Sequence, residues 1–106
     1  MKIESLVIEH YDNGKVFLKG QRNSKGQREG LWEWFYPSGN IEMRTPYKGG
    51  KEHGIDEWFY ENGNIRRRTP YKEDKPDGIE EWFDKQGNIT RTLVWKDGQQ
   101  IETIKH

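Results

Sequence analysis

Residues 54–71 read GIDEWFYENGNIRRRTPY, and copies of this stretch lie immediately before and after it. Residues 30–53 and 54–77 are identical at 14 of 24 positions, and residues 54–77 and 78–101 at 10 of 24. A shift of 24 residues superimposes four anchor positions, which are Gly30/Gly54/Gly78, Trp34/Trp58/Trp82, Gly39/Gly63/Gly87 and Tyr47/Tyr71/Trp95. This period predicts a repeat architecture with three full copies, at 30–53, 54–77 and 78–101.

The composition predicts a thin core that is rich in aromatic side chains. Only 30% of the 106 residues are hydrophobic and 34% are charged, a balance that is otherwise typical of disordered chains. Five Trp, five Tyr and four Phe at fixed phase argue against disorder, because each buried aromatic side chain removes about 150–250 Å² from water. We therefore expect a single domain, residues 1–106, with residues 1–29 as a degenerate N-terminal copy and 102–106 as a C-terminal tail.

The net charge and the absence of certain residue types exclude several classes of function. Eighteen basic and eighteen acidic residues give no net charge, so the positive potential of nucleic-acid and polybasic membrane-surface binders is missing. The chain has no Cys, which excludes thiolate zinc sites and thiol nucleophiles and fits a cytoplasmic location. The N-terminal apolar segment is short and interrupted by charge, so we expect neither a signal peptide nor a membrane span.

The residues that could support catalysis or metal binding do not form a suitable set. His10, His53 and His106 are the three histidines, and their spacing is not that of metal ligands. Glu33 and Glu57 are repeats of one structural position, whereas an active site brings unlike groups together in one cleft. We expect no catalytic residue, no metal site and no cofactor.

Each full copy is predicted to contain two short strands. Aromatic and β-branched residues alternate with polar ones, and a helical stripe of apolar residues does not occur. The first strands are expected at 31–36, 55–60 and 79–84, and the second at 41–47, 65–71 and 89–95. The expected fold is all-β, a repeat of stacked antiparallel β-hairpins forming an elongated twisted sheet; a closed barrel is the alternative.

Glycines and prolines predict how the strands connect. Gly39, Gly63 and Gly87 stand third in segments that suit three-residue hairpin loops ending in a bulge. Two-residue hairpins are predicted at 48–51 and 96–99. The equivalent segment at 72–77 lacks Gly and carries Pro76, so a looser connection is expected there. Most of residues 19–29 is predicted to be a polar loop.

The turn chemistry sets the register and so decides which residues share a face. If Phe35 pairs with Ile41, one face collects Leu31, Phe35, Ile41, Tyr47 and their equivalents in the later copies. The same register predicts the pairs Glu33–Met43, Glu57–Arg67 and Glu81–Arg91. A four-residue loop is the alternative, and it would pair Glu33 with Arg44 and place the Trp column beside Ile41.

The stretch GKEHGIDEWFYENGNI, residues 50–65, resembles the bacterial variant of the MORN repeat (membrane occupation and recognition nexus). The shared features are a Gly-Lys-x-His-Gly step, a Trp-aromatic pair and an x-Asn-Gly turn, and three copies cover residues 30 to about 101. The resemblance implies stacked β-hairpins. The chain is also similar to the YwqK-type antitoxin family, which is built from this repeat, and this similarity implies a bacterial or phage source and a toxin as the partner.

Aromatic residues opposite the Phe35 face are the candidate partner-binding site. They are Trp32, Trp34, Tyr36, Trp58, Tyr60 and Trp82. Rings repeated every two strands, about 9.6 Å apart, could grip an extended peptide or a partner's sheet. The structural interpretation, an aromatic ladder that packs on neighbouring strands, is favoured over direct binding, and both hold if only one flank of each ring is covered.

The leading hypothesis for function is a non-catalytic protein-protein interaction module of the antitoxin or immunity type. The alternative is a repeat protein that binds a glycan or a lipid headgroup with the same aromatic face. Arg66, Arg67 and Arg68 alternate between faces along a strand, so nucleic-acid binding is not expected. The edge strands have unpaired backbone groups, so an edge-to-edge homodimer is a further possibility.

Overall fold

The computed structural model describes residues 3–106. Met1 and Lys2, which begin the predicted N-terminal copy, lie outside the described residues. The strands are β1 (Ile3–His10), β2 (Val16–Asn23), β3 (Arg28–Phe35), β4 (Ile41–Lys48), β5 (Lys51–Glu52), β6 (Gly54–Phe59), β7 (Ile65–Lys72), β8 (Lys75–Pro76), β9 (Gly78–Phe83), β10 (Ile89–Lys96) and β11 (Gln99–Lys105).

All these strands belong to one antiparallel sheet. Its order is β1-β2-β3-β4-β6-β7-β9-β10-β11, and the short strands β5 and β8 pair with β4 and β7 respectively. The structure measures 42 × 32 × 15 Å, so the sheet is open and one layer thick. The predicted all-β fold of stacked antiparallel hairpins is confirmed.

The predicted three-residue turns are present in the full copies. In the first of them Tyr36 N–H donates to Asn40 O (2.8 Å), and Gly39 N–H donates to Tyr36 O (2.9 Å). Gly39 has a φ of +99°, a conformation that costs glycine little and strains other residues. The same pair of hydrogen bonds recurs at residues 60–64 and 84–88.

Two-residue hairpins join one copy to the next. Those predicted at 48–51 and 96–99 are confirmed. The looser connection predicted at 72–77 is wrong, because the chain forms the same two-residue hairpin there. Glu73 and Asp74 take φ values of +51° and +68°, as a type I′ turn requires. The Asp74 N–H also donates to a backbone carbonyl of the previous copy (3.0 Å), which helps to hold a turn that lacks glycine.

Most of residues 19–29, predicted to be a polar loop, is strand, so that prediction is wrong. β2 continues to Asn23 and β3 begins at Arg28, which leaves four residues for the turn. A Cβ built on Gly20 would lie 2.1 Å from the ring of Trp32. This part of β2 therefore needs no apolar side chain of its own at that point, because an indole from the next strand covers its backbone.

A β-bulge changes the register beyond each three-residue turn. Phe35 pairs with Ile41 as predicted, but the pairing then skips Glu42. Arg66 and Thr90 are skipped in the same way in the later copies. One extra residue in one strand shifts all the pairs that follow.

The bulge makes the predicted cross-strand pairs and part of the predicted faces wrong. The predicted pairs were Glu33–Met43, Glu57–Arg67 and Glu81–Arg91. The observed pairs are Glu33–Arg44, Trp34–Met43, Glu57–Arg68, Trp58–Arg67, Glu81–Thr92 and Trp82–Arg91. Tyr47, Tyr71 and Trp95 pair with Gly30, Gly54 and Gly78 and lie on the tryptophan side, not beside Leu31 and Phe35. The alternative loop predicted the Glu33–Arg44 pair, but the loop has three residues and the bulge supplies the shift.

The observed register defines two faces, because paired residues project to the same side of a sheet. The Trp face carries the row Leu18, Trp34, Met43, Trp58, Arg67, Trp82 and Arg91, the row Trp32, Thr45, Asp56, Thr69, Glu80 and Leu93, and the row Tyr47, Tyr71 and Trp95. The Phe face carries Leu31, Glu33, Phe35, Ile41, Arg44 and Pro46, with their equivalents in the later copies. All members of the second row of the Trp face are buried, so the core of this single layer lies on that side.

Tyrosine hydroxyls connect each copy to the next. Tyr11, Tyr36 and Tyr60 donate to the carbonyl oxygens of Phe35, Phe59 and Phe83, at 2.5, 2.6 and 2.7 Å. A hydrogen bond of this kind contributes about 0.5–1.5 kcal/mol net. In a sheet with few buried apolar side chains, these contacts add stability that a second layer would otherwise supply.

Candidate interaction surface on the Trp face

Trp32 does not belong to an accessible surface. Its side chain is 0% exposed, and its ring lies on the backbone of Gly20. The indole Nε1–H donates to the carbonyl oxygen of Gln21 (3.0 Å). Trp32 was a predicted partner-binding residue, and its complete burial removes it from the candidate site.

Tyr36 and Tyr60 are half-buried, and their hydroxyls are already used inside the sheet. Burial raises the pKa of the Tyr36 hydroxyl above its ordinary value of 10.0, and the nearby negative charge of Glu42 raises it further. The hydroxyl is therefore a donor to the Phe59 carbonyl at neutral pH. These two residues offer a partner only the exposed parts of their rings.

Trp34, Trp58 and Trp82 lie half-buried in one row of the Trp face. The guanidinium of Arg67 lies between two of these indoles, 5.1 Å from the Trp58 ring and 5.2 Å from the Trp82 ring. Arg91 lies 4.7 Å from the other flank of Trp82. Cation–π contacts of this kind are worth about 0.5–1 kcal/mol at exposed sites. From Trp58 to Arg91 the row thus alternates aromatic and cationic groups.

The N-terminal end of the row is organised by Arg28. Its guanidinium lies 4.5 Å from the Trp32 ring and 5.5 Å from the Trp34 ring. Its Nη1 also donates to the hydroxyl of Tyr47 (3.0 Å). One arginine therefore covers part of Trp34 and connects all three rows of the Trp face.

Two buried carboxylates fix the indoles of Trp58 and Trp82. Asp56 accepts hydrogen bonds from Thr45 Oγ1 (2.6 Å) and from Trp58 Nε1 (3.1 Å). Glu80 accepts from Thr69 Oγ1 (2.9 Å) and from Trp82 Nε1.

Desolvation of Asp56, which is 5% exposed, raises the pKa of its carboxyl above the ordinary 3.8, although its two hydrogen bonds and Arg67 act in the opposite direction. Each carboxylate binds a donor on the neighbouring strand and the tryptophan two residues later on its own strand. The indoles are thereby held in fixed orientations.

A cleft of about 140 Å³ lies between the two fixed indoles. Trp58, Arg66, Arg67 and Trp82 line it. The Nε atom of Arg67 is buried and has no hydrogen-bond partner within residues 3–106, so the positive charge of this guanidinium is only partly compensated beside the cleft. Such a cleft can receive a planar or acidic side chain of a partner.

Other kinds of site have less support in the structure. Residues 3–106 contain no group of three or more His, Cys, Asp or Glu side chains placed to hold a metal ion. Within the same residues, no helix has the length and apolar character needed to cross a bilayer. The three consecutive arginines do not form one patch, because Arg67 contacts indoles on the Trp face and Arg68 pairs with Glu81 on the Phe face.

Sequence reasoning missed the charged members of the Trp face. Arg67 and Arg91 are separated by one repeat of 24 residues, as are Asp56 and Glu80. Each pair therefore occupies equivalent positions in successive copies. The predicted register placed the arginines on the opposite face, which hid their contacts with the indoles. The acidic pair is buried, and this burial was not predicted.

Comparison with known proteins finds a family match for two of the hairpins. Residues 28–48 and 52–73 match the family model described as MORN repeat variant. The first match covers β3 and β4, and the second covers β6 and β7 with the start of the turn that follows. No curated protein and no solved structure matches the chain. MORN repeats are generally non-catalytic modules that bind proteins or membranes. Residues 28–48 and 52–73 are thus similar to the MORN repeat variant, in two of the three full copies.

Proposed function

We propose that this protein is a non-catalytic module that binds another protein through the Trp face. The observation that carries the proposal is the row of Trp34, Met43, Trp58, Arg67 and Trp82, half-exposed on one side of a single-layer sheet. Trp, Met and Arg are enriched in protein interfaces, and Trp and Arg supply many of the residues whose truncation costs most binding energy.

The fixed orientation of the indoles supports this proposal. Trp58 and Trp82 donate to buried carboxylates, and the guanidinium of Arg67 contacts both rings. Side chains that are already ordered lose less conformational entropy when a partner binds. The row therefore offers a pre-formed surface rather than a set of mobile side chains.

We further propose that the bound protein is a toxin and that this protein acts as an antitoxin or immunity factor. The support for this role is the resemblance to YwqK-type antitoxins, and no residue of the Trp face distinguishes a toxin from another protein. A toxin encoded next to this protein's gene is the first partner to test. The net charge of zero favours a partner that is recognised by mixed aromatic and polar contacts over a highly charged partner that is attracted by a strong electrostatic field.

The test is calorimetric titration of this protein with the product of the neighbouring gene. Trp34→Ala and Arg67→Ala should each weaken binding by about ten-fold or more, as expected for interface hot spots. Ile101→Ala is the control, because this exposed residue lies on edge strand β11, away from the row. Circular dichroism and thermal unfolding show whether each variant is folded. Folded Trp-face variants that bind like the wild type would refute the proposal.

A glycan or lipid headgroup remains the competing ligand class for the same aromatic side chains. Co-sedimentation with anionic vesicles and a glycan array would detect it. Binding in either assay that is lost in Trp34→Ala, with no protein retained in a pull-down, would replace the protein-binding proposal.

A further inference from the structure

We propose that the Phe face is the interface of a homodimer in which two copies of this chain pack face to face, with their strand orders reversed. The first observation is a row of exposed aliphatic side chains. Leu31, Ile55 and Ile79 are 48%, 51% and 57% exposed and recur once per copy. Their partners in the sheet, Pro46, Pro70 and Val94, are also apolar. Contiguous exposed apolar surface of this kind marks an interaction site.

A row of alternating charges runs beside the aliphatic row. Across six neighbouring strands of the sheet the Phe face presents Lys19, Glu33, Arg44, Glu57, Arg68 and Glu81, which are linked by the observed register. Two of the contacts are ion pairs, Arg44–Glu57 at 3.0 Å and Arg68–Glu81 at 2.7 Å. The sign of the charge therefore changes at each step across the sheet.

This alternation makes the Phe face complementary to itself. A two-fold axis that lies between two facing sheets, parallel to the strands, places each row against its own counterpart and reverses the order of the strands. The reversed row puts Lys19 opposite Glu81, Glu33 opposite Arg68 and Arg44 opposite Glu57 of the second copy. Each contact then joins opposite charges, as an isologous two-fold interface requires.

The charge row also selects one register. A slip of one strand would set like charges against each other, and like-charge contacts disfavour the wrong arrangement strongly. Paired charges at an interface contribute little net affinity on average. The affinity comes instead from the aliphatic row, where the same symmetry sets Leu31 opposite Pro70 and Ile55 opposite Pro46.

Size and shape fit a second copy. A stable interface buries about 800 Å² on each partner, and a sheet with principal extents of 42 × 32 Å has room for it. Twisted sheets pack face to face with their strands within about 30° of each other. The net charge of zero avoids repulsion between copies. The Trp face stays free in this arrangement, so the dimer does not depend on the function proposed above.

The mass in solution is the first test. Sedimentation velocity at micromolar concentrations should give a species of twice the 12.7 kDa chain mass, and Ile55→Lys should convert it to a monomer. Ile101→Lys places the same charge at an exposed position on edge strand β11 and should leave the dimer intact. A monomeric wild type would overturn the proposal. So would a dimer that Ile101→Lys breaks and Ile55→Lys does not, since that result indicates edge pairing.

Charge reversal tests the register. Lys19→Glu and Glu81→Lys each place two like-charge contacts in the homodimer, and each should weaken association by about ten-fold or more. An equimolar mixture of the two variants restores opposite charges at both contacts, so a heterodimer should form with affinity close to that of the wild type. Folded variants that fail to recover in the mixture would refute the reversed register, because a purely structural defect in either chain is not repaired by mixing.

Discussion

Replacement of Asp56 by alanine should destabilise the protein far more than replacement of its neighbour Glu57. The Asp56 carboxylate is 5% exposed and accepts hydrogen bonds from Thr45 Oγ1 and Trp58 Nε1. Glu57 projects to the opposite face and forms a partly exposed ion pair with Arg44 (3.0 Å). The two positions are adjacent in β6, so they share backbone conformation and differ in environment.

The magnitude follows from the two donors that Asp56→Ala leaves behind. A buried donor without a partner costs about 1–3 kcal/mol. Thr45 is 2% exposed and would bear that cost, whereas the half-buried Trp58 can donate to water at a smaller cost. Loss of the desolvated charge offsets part of this. We expect a net loss of about 2–3 kcal/mol, against about 0–1 kcal/mol for loss of an exposed ion pair in Glu57→Ala.

Urea unfolding followed by tryptophan fluorescence measures both variants under the same conditions. Equal m-values are required, since a changed m-value indicates a changed unfolded state or loss of two-state behaviour. A Thr45→Val and Asp56→Ala double-mutant cycle should give a coupling energy of about 0.5 kcal/mol or more. If Asp56→Ala costs no more than Glu57→Ala, the buried carboxylate does not stabilise the Trp face.

The pH dependence supplies a second readout for the same residue. The folded-state pKa of Asp56 lies above its ordinary value of 3.8 because of desolvation, so the folded protein holds this proton more tightly than the unfolded chain does. Its contribution is fully present below pH 3.8 and is lost as the pH rises through the folded-state pKa. The stability of the wild type relative to Asp56→Asn should therefore increase as the pH is lowered through this window. An unchanged difference between the two proteins would contradict the assigned burial effect.

Three further changes test other contacts of the sheet. Gly20→Ala should cost about 1–3 kcal/mol by overpacking, because its Cβ would lie 2.1 Å from the Trp32 ring; calorimetric melting measures the loss, and an unchanged melting temperature would contradict the contact. Tyr60→Phe removes the hydroxyl that donates to the Phe83 carbonyl at 2.7 Å and should cost about 0.5–1.5 kcal/mol in urea unfolding, whereas a neutral result would show that water replaces the bond. The pKa of Asp84 is lowered by hydrogen bonds from backbone N–H groups of its turn, so its contribution is present above pH 3.8 and is lost as the pH falls through the folded-state pKa; an acid titration of Asp84→Ala should lack that loss, and an acid response like that of the wild type would rule the contribution out.

The sequence was sufficient to predict the repeat, the strands and the three-residue turns. Gly39 and its equivalents indicate a loop in which one residue needs a positive φ. The 24-residue period predicts the same loop in each copy. These are local properties, so they can be recognised without knowledge of which strands meet. The hairpin at Glu73 and Asp74 was missed because it takes the same left-handed conformation without glycine.

The register and the buried positions could not be predicted in the same way. A turn fixes only the first pair of a hairpin. The residue skipped next is Glu42, Arg66 or Thr90, whose side chains are acidic, basic and uncharged respectively. The position of the bulge therefore cannot be recognised from the residue types, although the bulge determines whether Arg67 pairs with Trp58 or with Glu57. Burial of Trp32 was equally hidden, because it depends on Gly20 of the preceding strand.

The middle row of the Trp face shows how neighbouring strands determine one another. Trp32, Asp56 and Glu80 occupy the same position in successive copies, and all three are buried. In the first copy the adjacent strand contributes Gly20, which leaves room for an entire indole. In the later copies the adjacent strand contributes Thr45 or Thr69, and the hydroxyl needs an acceptor that Asp56 or Glu80 supplies. The aromatic residue at this position is therefore lost after the first copy because its neighbour on the adjacent strand changes. An indole packed on glycine is replaced by a carboxylate that accepts a hydrogen bond from threonine. The same carboxylate also orients the tryptophan two residues further along its own strand.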